Sequence, residues 1–141
     1  MTRGDALKNL IVSLRRDYTK YETFNTLLEK QFSAALQHDA IELSRIGADM
    51  LELAEVLAKS LKERRTLARL VASTGRPTGI DALAATLKGV PRELLEGEWR
   101  RLVVRVAECK RLNVRNAAVL MGQFEVMQRA LATKDDIYVP H

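Results

Sequence analysis

Residues 99–131 read WRRLVVRVAECKRLNVRNAAVLMGQFEVMQRAL, and the spacing of apolar groups in this stretch decides the fold. Steps of three and four from Trp99 reach Leu102, Val106, Cys109, Asn113, Asn116 with Ala117, Leu120, Phe124, Met127 and Leu131. That period is the seam of a helix packed in a bundle. Two seam positions, Asn113 and Asn116, carry amides. An amide on a packing seam costs stability unless it finds hydrogen-bond partners. Both are therefore expected to be buried and bonded within the bundle, where a polar seam residue fixes register. Trp99, the only tryptophan, is expected to plug the end of the same seam.

The pattern extends outward from there. Pro91 is a good first helical residue, and the segment it opens runs to about Ala132, with Gly97 and Gly122 as candidate bends. Before it, Thr78-Gly79-Ile80-Asp81 opens a short helix through Leu83 and Leu87 that closes at Gly89. A second long segment carries Leu43, Ile46, Met50, Leu53, Leu57, Leu61, Leu67 and Val71. Asp39 and Glu42 have the spacing of a capping box at its start, and Ser73-Thr74-Gly75-Arg76-Pro77 stops it. A first segment from about Asp5 to Leu36 repeats the period through Leu7, Leu10, Leu14, Tyr21, Phe24, Leu28 and Phe32. Gln37-His38-Asp39 interrupts between the two.

The spacing predicts an all-α fold: an elongated antiparallel bundle of three long helices, with a short helix between the second and third. The expected domain is residues 1–132, followed by a flexible tail over 133–141. A third helix of about 40 residues would be ~60 Å long, so the molecule is expected to be a rod with grooves and little enclosed volume.

Composition agrees. The chain has 141 residues, which suits one domain, and 47% are hydrophobic but only 5% aromatic. An aliphatic core of that kind favours helices. No apolar run of membrane-spanning length occurs, and the first residues mix Arg3, Asp5 and Lys8 with apolar groups, unlike a secretory signal. A single cysteine, Cys109, rules out an internal disulfide and fits a reduced, cytoplasmic protein. The net charge of +5 invites acidic partners or nucleic acid.

Catalytic constellations do not assemble from the sequence. His38 and His141 are a loop residue and the last residue, and no Glu-x-x-His pair exists. One Cys and two separated His cannot build a structural zinc site, and no phosphate-binding glycine loop is present. No enzyme activity, cofactor or metal is expected. Arg100, Arg101, Arg105, Lys110, Arg111 and Arg115 stand against Glu108 alone, which reads as a solvated face or an acidic docking surface. Nucleic-acid binding is not expected, because the patch lacks the stacking aromatics of single-strand binders. The competing classes are a basic helical nucleic-acid-binding protein and a structural coiled coil.

Trp99, Cys109, Leu112-Asn113, Asn116, Leu120 and Gly122-Gln123 together resemble the FlgN family of flagellar type III export chaperones. In that family a long C-terminal helix carries a Trp, then a Leu-Asn-x-x-Asn-Gly stretch, then aliphatics. Arg64-Arg65 near the end of the second helix and Ile137-Tyr138 after the third extend the resemblance. Ala117 departs from it by replacing the usual Gly, and the tail is shorter than in many members. The resemblance implies a cytoplasmic, non-enzymatic chaperone with no membrane insertion. It implies binding of the hook-filament junction proteins FlgK and FlgL, and delivery to the export-gate component FlhA. Helix-in-groove binding to the third helix is then expected, with Val119, Val126 and Met127 as cargo contacts. Tyr138 is, by the same resemblance, the gate-docking residue.

Overall fold

The computed structural model describes residues 1–72 and 79–138, with side chains described as far as Ala132. Four helices follow one another: α1 (Arg3–Leu36), α2 (Ala40–Ala72), α3 (Ile80–Ala85) and α4 (Gly89–Tyr138). This is the expected architecture of three long helices with a short one before the last. The stop at Ser73 to Pro77 lies outside the described residues.

Local chemistry sets the helix ends. Thr2 caps α1 in a full capping box: its hydroxyl accepts from the Asp5 amide, and the Asp5 carboxylate accepts from the Thr2 amide. The α1–α2 turn is a Schellman motif. The Asp39 amide donates to the Ala34 carbonyl and the His38 amide to the Ala35 carbonyl. His38 takes the left-handed position there, with φ of 54°. The expected Asp39–Glu42 box is present only in its forward half. The Asp39 carboxylate accepts from the Glu42 amide, but its own amide is already committed to Ala34. Gly89 opens α4 with φ of +66°, a conformation that suits a residue without Cβ. α4 runs unbroken through Gly97 and Gly122.

Cross-helix bonds fix direction. Arg15 meets Glu98, Asn25 meets Arg105, Asn116 meets Leu28, and Gln123 meets Ala35, so α1 and α4 run parallel. Arg3 meets Val71 and Asp17 meets Arg64, so α1 and α2 run antiparallel. α1 packs closely against both long partners, whereas among the described residues the α2 and α4 backbones stay apart and meet only through side chains such as Arg64 and Trp99. The main core lies at the α3 end. It gathers Leu10 and Leu14 of α1, Val71 of α2, Leu83 of α3, and Leu95 and Leu102 of α4.

Candidate functional site: the free faces of the last helix

The fifty residues of α4 make a helix of ~75 Å, longer than either neighbour. α1 ends at Leu36, and the Gln123 amide group donates to the Ala35 carbonyl at 2.7 Å. α4 therefore passes the end of the α1–α2 hairpin just after Gln123. From Phe124 to Tyr138 it projects beyond, for ~20 Å. Its described side chains, from Phe124 to Ala132, are all exposed. Phe124, Val126 and Met127 are all at least 60% exposed, and Leu131 is half exposed.

The expected cargo residues fall unevenly on this geometry. Val126 and Met127 lie on the projecting segment and are open. Val119 does not: it is partly buried, three positions beyond Asn116 on the side that faces α1. The sequence reading placed it outward because its apolar neighbours outnumber one seam. α4 runs helically as far as Tyr138, whose side chain lies outside the described residues.

The seam asparagines separate. Asn116 is 1% exposed and fully engaged. Its amide nitrogen donates to the Leu28 carbonyl at 2.6 Å and to Gln31 Oε1 at 2.9 Å, while its oxygen accepts from Arg115 Nε. Asn113 is exposed, contrary to the expectation that both amides are buried. The reason is angular. Leu112, 2% exposed, occupies the seam, and Asn113 lies about 100° further round the helix. Ala117 is exposed as well, so the family glycine's absence removes no close helix approach here.

Trp99 is partly buried against the core at the α3 end. It also sits under the Arg64 guanidinium, 6.0 Å from the ring centroid. Arg64 in turn pairs with Asp17, a carboxylate only 1% exposed. Ser60 donates to the other Asp17 oxygen at 2.6 Å, which leaves Ser13 as the donor in its contact with Ser60. This chain of polar groups ties α1, α2 and α4 together, and sequence reasoning missed it. Its signal was available: Asp17 falls between Leu14 and Tyr21 on the apolar face of α1.

The basic stretch of α4 is largely neutralised by partners. Glu96 pairs with Arg100, Glu98 with Arg101 and Arg15, Glu108 with Arg111, and Glu29 of α1 with Arg115. The Arg111 guanidinium holds the Glu108 carboxyl below its ordinary range. Arg105 donates to the Tyr18 hydroxyl and, with Arg101 over the ring, makes that phenol more acidic than usual. Burial raises the Cys109 thiol, a direction opposite to that of an activated nucleophile. Among the described residues no cluster of His, Cys, Asp and Glu could hold a metal ion. No helix among them is long and apolar enough to cross a membrane.

A helical rod whose open apolar groups gather on a projecting helix has the build of a protein that shelters another chain. The sequence matches the family model described as FlgN protein over residues 1–134. The chain belongs to the FlgN family, and is thereby a flagellar export chaperone. No curated protein and no solved structure matches at the significance required.

Proposed function

We propose that this chaperone binds the junction proteins FlgK and FlgL in the cytoplasm through the projecting end of α4 and passes them to the export gate. The observation that supports this reading is the overhang itself. A helix that leaves its bundle carrying Phe124, Val126, Met127 and Leu131 in the open has no reason to be apolar for its own stability. An amphipathic helix of the cargo would cover these groups, and methionine suits varied partners. Val126 and Met127 are the central contacts, with Val119 at the border. Tyr138, at the far end of the same helix, is the proposed docking residue for FlhA. Its ring and hydroxyl offer large contact area at low entropy cost.

Co-purification with FlgK and FlgL tests the first step. Val126→Asp is expected to abolish retention of both with helix content unchanged, and undiminished retention moves the site. Tyr138→Ala is expected to keep cargo binding while weakening binding to the soluble domain of FlhA. Equal FlhA binding by the variant ends the two-site picture.

A further inference from the structure

A second apolar face lies on the body of the rod, centred near Trp99, 25 residues before the overhang begins at Phe124. Because α1 sits between α2 and α4, a trough runs where the backbones of the two outer helices stay apart, bridged at one end by Arg64 over Trp99. Near Trp99 it holds a cavity of about 350 Å³ lined by Tyr21 of α1, Arg64 of α2, and Trp99, Val103, Val106 and Lys110 of α4. Val103 is 44% exposed. Val114 and Met121 continue its line along α4 at helical spacing, 70% and 64% exposed. This flank of α4 is turned away from α1, so the parallel α1–α4 seam cannot use it.

The charged residues that line the cavity have one sign. Arg64 and Lys110 line the cavity, and no carboxylate does. Arg64 is shared with Asp17 beneath it. Lys110 is exposed and has no ion pair among the described residues, unlike Arg100, Arg101, Arg111 and Arg115 around it.

We propose that this trough docks an amphipathic helix of a partner protein whose apolar stripe is flanked by carboxylates. Such a helix would complete a four-helix arrangement, setting its apolar stripe over Tyr21, Trp99 and Val103 and its acids beside Lys110. A second copy of the chain fits worse. The α4 flank that a second copy would offer carries the same Lys110 and, in the lining of this cavity, no carboxylate to set against it. The site is independent of the overhang, so one chaperone can hold cargo and this helix together.

Trp99, as the only tryptophan, reports on the trough by its emission. The probes are two synthetic helical peptides with the same leucine seam, one flanked by glutamates and the other by lysines. The full chain is expected to show a saturable emission shift with the glutamate peptide. Val103→Glu and Lys110→Glu should each weaken that binding by ~10-fold or more. Lys110→Glu should in turn improve binding of the lysine peptide. Both positions are exposed, so the fold survives either change, and Val126→Asp should leave the titration untouched. No shift, equal response to the two peptides, or indifference to both variants overturns the proposal. So does a shift produced by concentrating the chain alone with a matching dimer mass, which would make a second copy the occupant.

Discussion

Asn116 and Asn113 are three positions apart on one helix and should behave as different kinds of residue. Asn116 is buried with two donors and an acceptor satisfied. Truncating it leaves Gln31 and Arg115 short of a partner in a partly buried place. Asn116→Ala is expected to cost about 1–3 kcal/mol. Asn113→Ala should stay within about 0.5 kcal/mol, as exposed substitutions do. Urea denaturation of the two variants separates them, and similar losses would contradict the assigned environments. The sequence showed that an amide belongs on this seam but not which one. A walk in threes and fours accepts 109, 113, 116 as readily as 109, 112, 116. The buried path is the one through Leu112, and the adjacent leucine was the clue. Asp17 was legible in the same way, as a charge on an apolar face. Its partners, Ser60 and Arg64, were not, because no local pattern pairs residues more than forty positions apart.

At the level of elements, two backbone positions with positive φ predict opposite outcomes. His38 holds the left-handed place of the Schellman turn that most often goes to glycine. His38→Gly relieves strain and adds freedom to the unfolded chain, so the net gain should be small, about 0.5 kcal/mol. Gly89 already has the right side chain for φ of +66°, and a Cβ there would meet no atom within 4 Å. Gly89→Ala should therefore cost about 1 kcal/mol through the backbone alone. Thermal unfolding checks both signs, and a stabilising Gly89→Ala would refute the assigned conformation. These joints were partly readable. The Gln37-His38-Asp39 break and the Gly89–Pro91 restart stand out in the sequence, as do the three long periodic runs. The Thr2–Asp5 box was also written there but lay ahead of the first apolar group. The Asp39–Glu42 box was over-read, since the same spacing served a turn that claims the Asp39 amide.

For the whole molecule, parallel pairing of α1 with α4 decides where binding surface exists. Helix lengths alone do not reveal an overhang; the register does. With Gln123 capping the Ala35 carbonyl, α4 leaves the bundle from Phe124 to Tyr138. The sequence carried an apolar surplus in this region, but could not divide it between Val119, which the bundle partly covers, and Val126 and Met127, which it does not. Deleting residues 125–141 tests the division of labour. The core residues, the Asp17 network and the Asn116 bonds all lie before the cut. The shortened chain should unfold within about 0.5 kcal/mol of the full one, because few buried contacts are lost. It should fail to retain FlgK and FlgL, while keeping the Trp99 response to the acidic peptide. Loss of stability by several kcal/mol would mean that the projecting helix packs on the bundle after all. Retention of cargo by the shortened chain would place the binding surface on the body of the rod, along the trough between α2 and α4.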